Sequence, residues 1–316
     1  MMKSTHDSPI LGTGAAGAIG AVGAIGRNLT AMLLAKGHKV RALVRREDER
    51  ADALRRLGAE VVQGDLTDLA SMHRAIQGCA RIYFGMSVSA VYLEATVNTA
   101  AVARHHGVEA FVNMSQMTVT QMSITETTES PQHKLHWLAE RALSWSGLPV
   151  VTVRPTVFLE GFFLLFAAAS VRDADELALP LGASKTSPVS FGRRRTRRRG
   201  DPRRPGATHW SRLQSDRASI GRPGPLCTRL LRGARPDDPL SRRANFRVSE
   251  KLRAAGLSEH VIHHLAVMTE LHKQGRYDRT SEDYLKLTGE TPTSMADFVK
   301  LHAAEFTRPS RFGAGP

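Results

Sequence analysis

A glycine run near the start of the chain has the residue types and spacing for binding a phosphate. It reads TGAAGAIGAVGAIGRN, with Thr13 followed by glycines at 14, 17, 20, 23 and 26. An apolar strand enters it and a helical pattern leaves it. Glycine lets backbone turn sharply and come close to a pyrophosphate, and a helix N-terminus offers free N–H groups to the anion. The stretch GAIGAVGAIG reads as a duplication. It leaves two sets open, Gly14/Gly17/Gly20 or Gly20/Gly23/Gly26, and a loop about six residues longer than the minimum.

The end of the second strand reads the identity of a dinucleotide. A ribose 2′-hydroxyl calls for Asp or Glu about 20 residues after the glycines. Here VRALVRRED places Arg45 and Arg46 there. A guanidinium suits a 2′-phosphate, so NADP(H) is expected over NAD(H). Asp65, in GDLTD, either reaches the adenine edge or caps the following helix.

The elements that position these residues alternate. Strands are expected at Ile10–Gly14, Lys39–Val44, Glu60–Gln63, Arg81–Phe84, Ala110–Met114 and Pro149–Val153. Helices are expected at Asn28–Lys36, Asp48–Leu57, Leu69–Gln77, Tyr92–His106 and Lys134–Ser144. That alternation predicts an α/β fold, a doubly wound parallel (Rossmann) sheet with right-handed connections and a smaller C-terminal substrate domain.

Composition limits the remaining classes. The 316 residues, 41% hydrophobic, can bury one large core or two modest ones. The strongest apolar stretch, Phe162–Val171, is about half of what a spanning helix needs. The polar start, Met1–Pro9, has no signal-peptide core. Cys79 and Cys227 are too few for a disulfide framework or a cysteine zinc site. No metal site and no membrane partner are expected, and the cytoplasm is the expected location.

The net charge of +14 is concentrated in one block. Arg193–Arg243 holds 16 Arg, no Lys and 4 Asp, while the remainder holds 28 basic and 26 acidic side chains. The block also has six Pro and no sustained helix or strand period. A nucleic-acid role would rest on it, with strongly salt-dependent affinity. It has little interleaved aromatic character beyond Trp210 and no recognition motif, so that role ranks last.

Together TGAAGAIG, ALVRRED, GAEVVQGDLTD, FVNMSQM and SGLPVVTVRPTVFLEGFF resemble the NmrA-like group of atypical short-chain dehydrogenases. The three-residue glycine spacing is similar to that superfamily's cradle. The closing LTGETPTSMADFVKLHAAEF is similar to the C-terminal end of bacterial members. The resemblance covers roughly residues 10–190 and 247–307. It implies either an NADPH-dependent reductase of quinones, dyes or similar small electrophiles, or a non-catalytic sensor of the nicotinamide pool. By resemblance, Gly14, Gly17, Gly20, Arg45, Asp65, Gly85 and Met86 line the cofactor site. Thr13 and Gly26 flank the glycine set. Ser115 stands where the superfamily often keeps a catalytic hydroxyl.

The superfamily's Tyr-x-x-x-Lys pair is absent. Aligned on Glu140 of AERALSWSGLP, Gln132 takes the tyrosine place and His136 the lysine place, with His133 and Lys134 within a turn. Glutamine cannot act as an acid. His136, with an ordinary pKa of about 6.5, can; equally, His133 and His136 can be polar faces of a plain helix. Tyrosine-dependent alcohol–ketone chemistry is therefore not expected. His136, Lys134 and Ser115 are the catalytic candidates. Thr156, Phe158 and Phe162 follow the sixth strand, where substrate and nicotinamide would meet or where the phenylalanines simply fill core.

Three parts follow: a cofactor domain at 8–157, a cap at 158–190 and 247–307, and the arginine-rich block at 191–246. The block is expected to be disordered or the product of two compensating frame shifts. Read one nucleotide out of frame with synonymous codons, ATHWSRLQSDR decodes to contain HIGRVYNLTG, and Gly192–Pro205 to AEDVRDVAAILADP. Residues 220–244 decode to SADLDHYARVFSEALGRTIRYRDVP. These strings carry the periodicity that the block lacks. If the chain is made as written, the cofactor domain should still form and the substrate pocket should suffer, with Leu252 and Val261 losing packing partners. Substrate and oligomeric state are not readable from the residues.

Overall fold

The structure is a computed structural model. It describes residues 7–17, 21–164, 168, 171, 184–191, 213–214, 249–250, 252–254 and 256–307, with backbone only at 21, 22, 162, 163, 213, 214 and 307. Six strands are laid down in order: β1 (Ile10–Gly12), β2 (Val40–Val44), β3 (Glu60–Gln63), β4 (Arg81–Phe84), β5 (Ala110–Met114) and β6 (Val150–Arg154). A two-residue β7 (Leu213–Gln214) joins the edge. Every neighbour pairs in parallel, in the order β3-β2-β1-β4-β5-β6-β7. The chain winds outward from β1 to β3, returns to β4 and winds the other way. This is the doubly wound sheet the sequence predicts.

Five helices cross between these strands: α1 (Ala21–Ala35), α2 (Glu49–Arg56), α3 (Leu69–Ile76), α4 (Tyr92–His105) and α5 (Pro131–Trp145). Side-chain oxygens fix several starts. Asp48 accepts from the backbone N–H groups of Arg50 and Ala51, Asp68 from Ala70, and Ser130 from His133, with Pro131 opening α5.

The strands alternate their faces. Leu11, Ile82, Phe84 and Phe111 pack with Met72, Ile76, Tyr92 and Leu143 from α3, α4 and α5. Ala42 and Val44 pack with Ala15, Ala51 and Leu54 on the α2 side. Two covered faces explain why the strands read as apolar runs.

Differences from the sequence reading lie at helix starts. Helix α1 begins at Ala21, seven residues before the expected Asn28, because the Ala-rich AVGAIG continues the helix and tolerates its glycines. Helix α5 begins at Pro131 rather than Lys134. Near the end of the described residues the stretch 295–307 forms two helices, α8 (Met295–Leu301) and α9 (Ala303–Thr307). Ahead of them come α6 (Glu259–Lys273) and α7 (Asp283–Thr288).

Helix α6 docks on the cofactor side of the molecule. Its Val267 and Leu271, with Tyr277, bury Met117 of the turn after β5. Thr118 Oγ1 donates to Tyr277 Oη at 3.2 Å, and Gln121 Nε2 to the Arg276 carbonyl at 2.9 Å. The segment 184–191 runs beside the end of β6: Val189 N donates to the Val157 carbonyl and Leu159 N to the Val189 carbonyl. Of the arginine-rich block only Phe191 and β7 are described; β7 pairs Leu213 with Val153 and Gln214 with Arg154. No helix among the described residues is long and apolar enough to cross a membrane.

Candidate nucleotide-binding site

The chain reverses its winding between β1 and β4, and a doubly wound sheet binds ligands at the carboxyl ends of the strands there. Thr13 and Gly85 lock these two ends together. Thr13 Oγ1 donates to the Gly85 carbonyl at 2.8 Å, and Gly85 N donates back to Thr13 Oγ1 at 2.9 Å. Both residues are buried, so the hydroxyl of Thr13 is engaged in shaping the crevice. A Cβ on Gly85 would sit 2.9 Å from Tyr83 Oη. Met86, half-buried, follows on the same strand end.

The glycine turn leaves β1 at Gly14, whose φ of +77° is open to glycine and costly for other residues. Gly17 N donates to the Gly14 carbonyl at 3.3 Å, closing the turn. Helix α1 lies directly on it. A Cβ on Gly23 would fall 2.0 Å from Gly17 O, and one on Gly26 2.7 Å from the Ala15 Cα. Gly23 and Gly26 thus permit the close approach of helix to turn, while Gly14 and Gly17 form the turn itself. Gly20 lies outside the described residues. Helix α1 has no acidic residue in its first turn. A tight glycine turn under an N-terminus free of competing carboxylates fits a dinucleotide's pyrophosphate.

Arg45 stands just past β2, 82% exposed, with Nε 3.6 Å from Asp65 Oδ2. Arg46 beside it is also exposed. Asp65 Oδ1 accepts from Thr67 N at 2.9 Å and Thr67 Oγ1 at 2.8 Å. These hydrogen bonds, with a smaller contribution from Arg45, hold its carboxyl below the usual range. Asp68, not Asp65, is the N-cap of α3. Asp65 shapes the turn before that helix and faces Arg45 at the rim.

The first turns of α5 bring a second set to the ends of β4 and β5. Gln132, His133, His136, Ala139, Glu140 and Leu143 are its buried stripe, at helical spacing. Gln132 Oε1 accepts from Ser89 N at 3.1 Å and pairs with His260 Nε2 at 2.8 Å. His133 Nδ1 lies 2.7 Å from Thr128 Oγ1, and His264 Nδ1 2.9 Å from Ser130 Oγ. The His136 ring packs on Tyr92 at 4.2 Å between centroids.

Burial pushes His133 and His136 down to about 3, with neighbouring histidines adding to it. His136 is therefore neutral at pH 7, far from its ordinary value. Lys134 is exposed. Ser115 is buried and donates from Oγ to Glu140 Oε1 at 2.7 Å. Glu140 also takes a bidentate pair from Arg154, at 2.8 and 2.5 Å. Around this set several buried polar atoms have no partner among the described residues: Tyr83 Oη, both ends of the Asn113 amide, Gln132 Nε2, His133 Nε2 and His136 Nδ1.

Thr156 Oγ1 donates to the Ser187 carbonyl at 2.5 Å and so ties β6 to the 184–191 segment. Phe158 is half-buried, edge-on to Phe191 at 5.7 Å between ring centroids. The Phe162 side chain lies outside the described residues. Sequence reasoning used Glu140 only as an anchor and missed its pair with Arg154. It also missed His260 and His264, more than 120 positions from their partners, for which no local spacing gives a signal.

Comparison with known proteins agrees with this geometry. Residues 20–161 match the NAD(P)H-binding family model. Sterol demethylase protein B of Methylococcus capsulatus is 47% identical over 58 residues, 18% of this chain. The match spans 17% of that relative's length. Triphenylmethane reductase of Citrobacter sp., solved with NADP(H), superposes with a TM-score of 0.66 at 19% identity, over 93% of this chain and 99% of the other. An NADPH-dependent quinone oxidoreductase of Escherichia coli, solved with NADPH, gives 0.66 at 18% identity, over 92% and 99%. A nucleoside-diphosphate-sugar epimerase of Staphylococcus aureus gives 0.61 at 17% identity, over 92% and 99%. Residues 20–161 therefore match the NAD(P)H-binding family model, and the chain has the fold of the reductases solved with NADP(H) on which it superposes.

Proposed function

We propose that the protein is an NADPH-dependent oxidoreductase passing a hydride to a small electrophilic acceptor of the quinone type. The observation that carries the reading is the pairing of the Gly14–Gly17 turn under α1 with Arg45 and Arg46 at the end of β2. The turn and helix N-terminus hold the pyrophosphate. The guanidinium of Arg45, already facing Asp65, is available to a 2′-phosphate at the exposed rim. Bound there, NADPH supplies a hydride.

The chain's own groups set the limits of the acid–base chemistry. His136 is neutral and walled in by Tyr92, so its part is a hydrogen bond rather than proton donation at neutral pH. Ser115 is committed to Glu140, and orients the strand end through that bond. Lys134 sits on the solvent side of α5 and would act only on a group reaching the rim. An acceptor that takes its proton from water suits this site, and a quinone, which becomes a hydroquinone on gaining the hydride and that proton, is one. Residues 8–157 serve the cofactor, and 158–190 with 247–307 the acceptor.

The alternative is a nicotinamide sensor without turnover. It is favoured by Gln132 standing in the tyrosine place, with its carbonyl oxygen engaged by Ser89 and His260. NADPH oxidation monitored with 1,4-benzoquinone separates the two. Acceptor-dependent oxidation above the rate without protein establishes the enzyme; saturable NADPH binding without oxidation establishes the sensor.

A further inference from the structure

Three histidines meet at the end of the molecule remote from the glycine turn. Helices in this fold run back against the strands, so their C-termini lie at the opposite edge from the strand carboxyl ends. His73 is in the last turn of α3 and His105 is the last residue of α4. These two helices pack on each other. His106 is the C-cap of α4, followed by Gly107 at φ +64°. Successive residues inside a helix face different ways. The stop at His106 lets two adjacent histidines turn toward the same neighbour.

We infer that His73, His105 and His106 form a surface site for a divalent late first-row transition metal of the zinc class, with the fourth position left to water. One nitrogen of each ring lies within 4.8 Å of one from each of the others. His106 Nε2 is 3.1 Å from His73 Nδ1. In a tetrahedral zinc site with Zn–N of about 2.0–2.1 Å, ligand nitrogens sit about 3.3 Å apart, so two of the three are already near ligand spacing. Ring centroids are 4.7, 5.1 and 5.8 Å apart, leaving His105 a small rotation to make. His73 and His105 are exposed and His106 is half-buried, so an ion has open access. Imidazole binds as the neutral form. Three imidazoles without a carboxylate select zinc, copper or nickel over calcium and magnesium. The sequence reading assigned no metal, because the ligands come from two helices and only two of the three are neighbours in the chain.

The full-length chain, stripped with EDTA, is titrated with zinc chloride by isothermal titration calorimetry. One equivalent is expected to bind at the site. His73→Ala should weaken it by more than the roughly 10–100-fold that loss of an outer-shell partner costs. Cobalt(II) in place of zinc should give visible ligand-field bands that the substitution removes. Where alanine lowers the zinc-free melting temperature, His73→Gln keeps a polar side chain there and should still lose the ion. Absence of zinc uptake overturns the proposal. So does uptake unchanged in the triple variant His73→Ala/His105→Ala/His106→Ala, which would assign the ion to others of the 13 histidines.

Discussion

At the scale of single residues, charge and bulk make separate predictions. Arg45→Asp should lower NADPH affinity about 10–100-fold, the loss of one charge-assisted contact, and leave NADH binding little changed. Thermal-shift titration with both nucleotides measures it, and an unchanged preference would sink the 2′-phosphate assignment. Gly26→Ala acts through space instead: its Cβ would meet the Ala15 backbone at 2.7–2.8 Å, forcing helix and turn apart. A loss of about 1–3 kcal/mol is expected in urea melts, with a weaker nucleotide-induced stabilisation. Glu140→Gln breaks a buried pair and leaves Arg154 uncompensated, which costs about 3–5 kcal/mol. Ser115→Ala should cost far less, about 1 kcal/mol, because Arg154 still satisfies the carboxylate. The glycines and Arg45 were legible in the sequence because their demands are local. Glu140 was not, because a glutamate on a helix reads as solvated until β6 places Arg154 beside it.

At the scale of elements, the α5–α6 contact is where histidines are buried neutral. His133 and His136 are pushed to about 3 by burial and His264 is held well below its ordinary value, while at the other end of α6 His272, stacked on Tyr277, is pushed to about 4. A base whose pKa falls on folding binds fewer protons folded than unfolded. Its contribution is therefore whole above about pH 6.5 and is lost as the pH falls toward 3–4. For His136 alone the loss by pH 5 is on the order of 2 kcal/mol. Urea melts at pH 7 and pH 5 should show it, and His136→Leu should flatten the profile. A stability that stays level over this window would contradict the buried, neutral state. The apolar residues of EHVIHHLAVMTELHK recur at helical period, but period says that a face is covered, not by what. The early start of α1 was missed for a related reason. Glycine spacing suggested a loop, whereas close packing on Gly14–Gly17 rewards a helix with two glycines on one face.

At the scale of the whole molecule, one block carries nearly all the net charge, and β7 alone of its interior is described. Leu213–Gln214 extend the sheet within the stretch 207–217 whose shifted frame decodes to HIGRVYNLTG. We propose that this edge position belongs to a strand that two compensating frame shifts have rewritten. Sequencing the gene again across the codons for 191–248 checks whether the shifts arose in sequencing, and an intact frame encoding RRRTRRRG would count against that origin. The sequence by itself determined the winding of the sheet and the place of the glycine turn. Strand and helix periods, caps and turn glycines act within a few residues, and parallel strands joined by helices leave few topologies. Only the tertiary structure decided which polar groups meet. Ser115, Glu140 and Arg154 converge, Gln132 finds His260, and His73 finds His105 and His106, because the order of strands in the sheet, not the order of residues in the chain, sets those distances.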